Sequence, residues 1–254
     1  KVSKRQEKQL TCWGGNILSL TVNGTFDDCQ TLVKDIFIDP KLSARYRFSS
    51  ANSINFGRLL PQSIYYAHSS LNHFRQSGNK ANFIIPTGNL GNGLACLLAR
   101  EMGFPVGEIV LSVNANRLIA DYLNGAEWLP KSSIQTLANA MDVGNPSNME
   151  RLSSLFGQAN DLKSSISAVS VSDENISSEI TRIFEKTNTI ICPHTATASY
   201  TYSQFTDEVK MTQDWFIAAT AHPAKFETIV EPLIGQKVAV PDDLSALLDK
   251  PSKT

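Results

Sequence analysis

The segment from Asn82 to Gly103 constrains the fold of this chain more than any other. It holds a short apolar strand, Phe83-Ile-Ile85, a turn rich in glycine and asparagine, Pro86-Thr-Gly88-Asn89-Leu90-Gly91-Asn92-Gly93, and a helical run that stops before Gly103 and Pro105. A buried strand that feeds a helix through a glycine turn is the repeating unit of a parallel α/β sheet. The same order builds an anion site. The first amide N–H groups of a helix have no intrahelical partner, and the macrodipole leaves partial positive charge there, so a phosphate can dock without a lysine. Glycine lets the backbone approach a ligand closely, and Asn89 and Asn92 add side-chain amide donors. Gly103 followed by Pro105 closes the helix in the usual way.

Two better-known phosphate loops are excluded. No Gly-Lys-Ser/Thr is present, so the turn is not a Walker A loop. Gly88, Gly91 and Gly93 run G-x-x-G-x-G rather than G-x-G-x-x-G. The following strand, Glu108 to Asn114, ends in asparagine where a dinucleotide fold places a ribose-binding acid. A glycine-rich loop alone is equally an ordinary strand-to-helix turn with no ligand.

Elsewhere strands and helices alternate, which predicts a parallel sheet covered on both faces. Asn16–Val22 reads as a strand, Thr25 caps a helix ending at Ile38 before Asp39-Pro40, and Tyr46–Ser49 reads as a short strand. Ser53 is the expected cap of a long helix carrying Arg58, Tyr65 and His73. Phe83–Ile85, Ile109–Val113 and Trp215–Ala219 have the unbroken apolar character of buried strands. Asp142 and Asn148 are placed to cap or brace a helix beginning near Ser147. The chain has 254 residues, 42% of them hydrophobic, enough for a sizeable core, and its net charge of −1 lacks the footprint of a nucleic-acid or membrane binder. The four cysteines have neither metal spacing nor a paired framework, which points to a reducing cytoplasm. No apolar run reaches the roughly 18 residues of a spanning helix.

Six segments, in order, carry a family resemblance: Gly24-Thr-Phe-Asp-Asp-Cys-Gln30, Asn52-Ser-Ile-Asn55 with Arg58, Pro86-Thr-Gly-Asn-Leu-Gly-Asn92, Asp142-Val-Gly-Asn-Pro-Ser-Asn-Met-Glu-Arg151, Pro193-His-Thr-Ala196 and Thr220-Ala-His-Pro-Ala-Lys-Phe226. Together they resemble threonine synthase. That resemblance implies a tryptophan-synthase-β-like, fold type II α/β architecture of two lobes, residues 1–60 in the smaller and 61–254 in the cofactor lobe. It implies a carbon-oxygen lyase that uses pyridoxal 5'-phosphate to convert O-phospho-L-homoserine and water into L-threonine and phosphate. Gly88, Asn89, Leu90, Gly91 and Asn92 would then hold the cofactor phosphate.

Thr220 by itself is a hydroxyl that could satisfy local backbone; the resemblance turns it toward the pyridine nitrogen as a neutral donor, with His222 and Pro223 shaping its turn. Arg58 could be a solvated helix-opening arginine, yet a substrate with a carboxylate and a phosphate needs charge-assisted donors, and Arg58 with Asn52, Ser53 and Asn55 forms the expected substrate side. His194 alone reads as structural. The family's Schiff-base lysine sits in a Ser-Phe-Lys-Asp-like segment ahead of the Gly24 motif, which this sequence does not contain, so the chain is expected to be a C-terminal portion with that lysine upstream of Lys1. Lys225 is no substitute, because the family carries that lysine as well as the Schiff-base one. Two alternatives stand beside this reading: a non-catalytic ligand-binding relative, and another fold type II enzyme such as an amino-acid dehydratase.

Overall fold

The computed structural model describes residues 3–53, 55–157 and 159–252. Lys1, and Ile54 of the Asn52–Asn55 segment, lie outside the described residues. The elements run α1 Lys4–Thr11, α2 Phe26–Ile38, α3 Pro40–Arg45, α4 Phe56–Ser77, β1 Ala81–Pro86, α5 Gly91–Glu101, β2 Val106–Val113, α6 Leu118–Leu123, α7 Met149–Phe156, α8 Ala159–Lys163, β3 Ser167–Ser170, α9 Asp173–Thr187, α10 Pro193–Ser203, α11 Asp207–Thr212, β4 Trp215–Ile217, α12 Glu227–Ile234 and α13 Asp242–Leu248. Single 3-10 turns occupy Asn139–Met141 and Pro223–Phe226.

The strands form one parallel sheet in the order β3-β2-β1-β4, with Ile84 of β1 paired to Val110 on one side and Ile217 on the other. Every residue of β1 is buried, as helices on both faces require, so its sequence does not alternate with polar residues. The two faces divide by register. Phe83, Ile85, Ile109 and Leu111 pack with Leu59 and Tyr66 of α4 and Leu94 and Leu97 of α5. Ile84 and Val110 face Ala198 of α10. A further core joins Ile176 and Ile180 of α9 to Val230 of α12. Full burial of each large aliphatic side chain stabilises the fold by about 1.5–3 kcal/mol, so the sheet centre, where α4, α5 and α10 converge, anchors the loop that follows β1.

Thr25 starts α2 as expected: its Oγ1 accepts from Asp28 N–H at 3.3 Å while the Asp28 carboxylate accepts from Thr25 N–H at 2.6 Å, a reciprocal capping box. Asp39 ends α2 and caps α3 through Lys41 and Leu42. Three expectations need correction. The cap of α4 is Asn55, not Ser53: the helix begins at Phe56, so only position 55 can reach the Gly57 amide, which Asn55 Oδ1 does at 2.9 Å. Asn16–Val22 and Tyr46–Ser49 are not strands, because no described strand lies beside them to complete a ladder; Asn16 itself lies in a turn. Leu18 and Leu20 are accordingly 76% and 78% exposed. In the other direction, β3, Ser-Ala-Val-Ser, was not expected, being too short and too polar to stand out.

Candidate functional site

β1 delivers the chain into the loop under tight control. Thr87 N–H donates to Ser112 O at 2.8 Å and its hydroxyl to Ile85 O at 2.9 Å. Leu90 then takes a left-handed conformation, φ 64°, which a non-glycine residue holds only when its surroundings enforce it; its side chain is buried in the α4–α5 core. The first helical bond is Leu94 N–H to Leu90 O at 2.9 Å. Among the described residues, the N–H groups of Gly88 to Gly93 donate to no hydrogen bond. Six unspent amides thus sit at and before the N-terminus of an 11-residue helix, where the dipole favours an anion. At two glycines the approach of neighbouring atoms is close, against backbone at Gly88 and against a side-chain end at Gly93. A Cβ on Gly88 would lie 2.6 Å from Met141 Cα, and one on Gly93 would lie 2.7 Å from Leu111 Cδ2.

The two loop asparagines do different work. Asn89 Nδ2 donates to Ser53 Oγ at 2.6 Å, and its Oδ1 accepts from Ser147 N–H at 2.7 Å and Ser147 Oγ at 3.1 Å. Its carbonyl accepts from Asn148 Nδ2 at 2.9 Å. Arg151 Nη1 donates to Ser53 O at 2.8 Å and Asn148 Oδ1 at 2.6 Å. Asn89 is therefore chiefly a clamp that ties the loop to the segments around Ser53 and Ser147. Asn148 stands at the start of α7 but spends its side chain on this network instead of a cap. Asp142 braces the preceding loop, accepting from Thr136 Oγ1 at 2.7 Å and Asn114 Nδ2 at 2.8 Å. Burial raises its carboxyl pKa, against the pull of those hydrogen bonds. Asn92, by contrast, accepts a hydrogen bond from the Tyr66 phenol through Oδ1 and leaves its Nδ2 unpartnered among the described residues.

Asn92 opens on a cleft of about 720 Å³ that also takes in Arg58, Tyr65, Tyr66, Phe216 and Thr220. Thr220 is exposed, and its hydroxyl makes no hydrogen bond within the described residues, so it is not consumed by local backbone. His222 Nδ1 accepts from Ala224 N–H at 3.2 Å and caps the 3-10 turn behind it. The Arg58 guanidinium likewise has no ion pair or hydrogen bond among the described residues. Asn55 and Ser53 stand outside the cleft lining: Asn55 caps α4 and donates to Ser50 O at 2.8 Å, and Ser53 holds Asn89. Asn52 Oδ1 accepts from Ser50 Oγ at 2.7 Å in the same turn. Among the described residues no lysine lines the cleft, and Lys225 sits in the turn after Pro223 with its carbonyl taken by Ser3 Oγ at 3.0 Å.

His194 is structural. It is 3% exposed, burial pushes its pKa down to about 4, and Nε2 accepts from Ala140 N–H at 3.1 Å, which fixes a neutral ring. Tyr66, Arg151 and Asn114 were not singled out from the sequence. Tyr66 falls on the buried stripe Leu59, Ser63, Tyr66, Ala67 and Ser70 of α4, which reads simply as core.

Comparison with known proteins accords with this geometry. The family model described as threonine synthase, C-terminal, matches residues 195–254. A threonine synthase of Buchnera aphidicola subsp. Acyrthosiphon pisum is 36% identical over 252 residues, covering 99% of this chain and 58% of its own length. The crystal structure of threonine synthase from Escherichia coli superposes with a TM-score of 0.87 at 34% identity, over 98% of this chain and 57% of that one. A structure of PLP-bound threonine synthase from Brucella melitensis gives 0.82 at 27% identity, over 98% and 58%. The chain thus spans a little under three fifths of the length of the relatives it matches, and its parallel sheet flanked by helices has the fold type II architecture.

Proposed function

The chain is a relative of the threonine synthases along nearly its whole length, and we propose that it forms the cofactor-phosphate- and substrate-binding part of such an enzyme. The reaction is the pyridoxal 5'-phosphate-dependent conversion of O-phospho-L-homoserine and water to L-threonine and phosphate. The observation that carries this reading is the row of unspent amides from Gly88 to Gly93 at the start of α5. Gly88, Asn89, Leu90, Gly91 and Asn92 bind the cofactor phosphate through main-chain N–H groups. The residues fit such a group: the amides need an acceptor, and close packing of Gly88 on Met141 holds the loop in place.

When bound, the cofactor supplies an electron sink for carbanion chemistry beside the substrate amine. Thr220 offers its hydroxyl to the ring nitrogen, a neutral donor that does not force protonation there. Arg58 binds the substrate phosphate or carboxylate by charge-assisted hydrogen bonds, and Asn52, Ser53 and Asn55, which stand outside the cleft lining, act on the substrate only by shaping the turn that opens its helix. Among the described residues no lysine lines the cleft, and the sequence contains no Ser-Phe-Lys-Asp segment, so this reading requires a lysine to bond the cofactor and carry the proton that the cleft residues do not supply. The lobe division at about residue 60 belongs to the same proposal, with α4 running through it. A reducing cytoplasm is supported by Cys12, Cys29, Cys96 and Cys192, all free thiols. Among the described residues no helix is long and apolar enough to cross a membrane.

The dehydratase alternative is disfavoured by 34–36% identity to threonine synthases. A ligand-binding relative without chemistry keeps the same site and lacks only the lysine. Titration with pyridoxal 5'-phosphate and with pyridoxal tests the site directly. Binding of the phosphorylated form at least about tenfold tighter is expected, since several charge-assisted amide bonds are at stake. Equal affinities would sink the reading.

A further inference from the structure

Tyr66 is buried in the apolar core between α4 and the sheet, 4% exposed, with its ring edge-on to Phe83 at a centroid distance of 5.0 Å. A phenol there needs a partner, because an unbonded hydroxyl in apolar surroundings is costly. Its partner is Asn92 Oδ1, 2.5 Å away. Asn92 stands in the first turn of α5, and both residues line the cleft that contains Thr220. An asparagine side chain has one accepting and one donating end, and free rotation would present either to an anion. The phenol engages the accepting end. Among the described residues the Nδ2 end donates to nothing.

We infer that Tyr66 is a positioning residue that fixes the Asn92 side-chain amide with its N–H donors toward the phosphate held at the start of α5. The inference rests on the phosphate-site reading and deepens it. The alternative arrangement, with Oδ1 toward the phosphate, would place an acceptor against an anion and leave the Tyr66 hydroxyl with no acceptor. Burial raises the Tyr66 pKa well above the usual phenol range, which keeps the hydroxyl protonated and a donor at neutral pH. The ring is held by Phe83 and by the fixed spacing along α4, so the orientation is set before any ligand arrives.

The test uses the full chain, with pyridoxal 5'-phosphate, pyridoxal and inorganic phosphate as probes. Tyr66→Phe keeps the ring and removes the hydroxyl. It is expected to weaken pyridoxal 5'-phosphate and inorganic phosphate binding at least about tenfold, the scale of one oriented hydrogen bond to a charged group, and to leave pyridoxal unchanged. Asn92→Ala should cost a similar factor, and adding Tyr66→Phe to it should cost nothing more. In the ligand-free chain, the Asn92 side-chain NH₂ signals in the nuclear magnetic resonance spectrum should shift and exchange faster in Tyr66→Phe. Equal weakening of pyridoxal and its phosphate, additive losses in the double variant, or unmoved Asn92 signals would overturn the inference. A wild-type chain that binds pyridoxal as tightly as its phosphate overturns the phosphate-site reading instead, and the ligand-free Asn92 signals still decide whether Tyr66 orients that side chain.

Discussion

Asn89 Nδ2 donates to Ser53 Oγ at 2.6 Å across 36 residues of sequence. With Ser147 bonded to Oδ1 and Asn148 to the carbonyl, one residue joins the loop after β1 to two other segments of the family pattern. Asn89→Ala deletes the side-chain bonds and leaves half-buried partners unpaired, so it should destabilise the fold by about 1–3 kcal/mol, seen as a lower urea midpoint. Asn89→Asp keeps the acceptor for Ser147 and loses the donor to Ser53, so its cost should be smaller. An alanine variant as stable as the parent would mean the three segments are held independently.

The glycines separate packing from backbone conformation. In Gly88→Ala the new methyl would meet Met141 Cα at 2.6 Å, and backbone cannot rotate aside as a side chain can. The loop must shift, at a cost of about 1–3 kcal/mol, and amide alignment should go with it. Gly103→Ala meets nothing within 4 Å but must hold φ at 88°, so it should cost about 1 kcal/mol and leave the loop intact. Thermal melts should show both losses, while titration with pyridoxal 5'-phosphate should separate them. Unchanged affinity in Gly88→Ala would remove that loop from the site.

His194 makes stability depend on pH in a defined window. Its pKa in the folded chain is about 4, below the ordinary value of 6.5, because burial opposes the charged ring. The unfolded chain therefore binds the proton more readily, so the contribution is fully present above pH 6.5 and is lost progressively as pH falls toward 4. The loss from this group should reach about 2 kcal/mol by pH 5. Urea unfolding at pH 7.5 and pH 5 measures it, and His194→Gln should flatten the difference. A wild-type slope identical to that of the variant would mean that the ring accepts its second proton without penalty.

The strand-turn-helix after Asn82 was legible because its chemistry is local: three apolar residues, glycines and a helix stop lie within one stretch of sequence. Thr25 was legible for the same reason, since a capping box spans only four residues. Asn16–Val22 misled because an apolar extended segment states a propensity, whereas a strand also needs a neighbour, and that neighbour is not written in the segment. The left-handed position fell on Leu90 although the glycines beside it suit that conformation, because burying its side chain outweighs the backbone cost. Tyr66 and Asn92 are 26 residues apart, and nothing in either local pattern announces the bond. Asn89 was read as a ligand donor and serves chiefly as a clamp, because its partners Ser53 and Ser147 come from distant segments.

Among the described residues the cleft that gathers Arg58, Asn92 and Thr220 is lined by no lysine, and Lys225 lies in the 3-10 turn after Pro223, outside that lining. These 254 residues alone should therefore release no phosphate from O-phospho-L-homoserine when supplied with pyridoxal 5'-phosphate, although the phosphate cradle can still bind the cofactor. Borohydride reduction should spread label over several surface lysines, because none is aimed at the site. The exposed apolar side chains of Leu18, Leu20 and Ile38, each more than three quarters accessible, should also drive self-association, visible as a concentration-dependent sedimentation coefficient. A longer polypeptide carrying a Ser-Phe-Lys-Asp segment ahead of these residues should turn over in the same assay and remain dispersed. Robust phosphate release by the 254 residues, or stoichiometric label on Lys225, would show that the catalytic lysine lies within this chain.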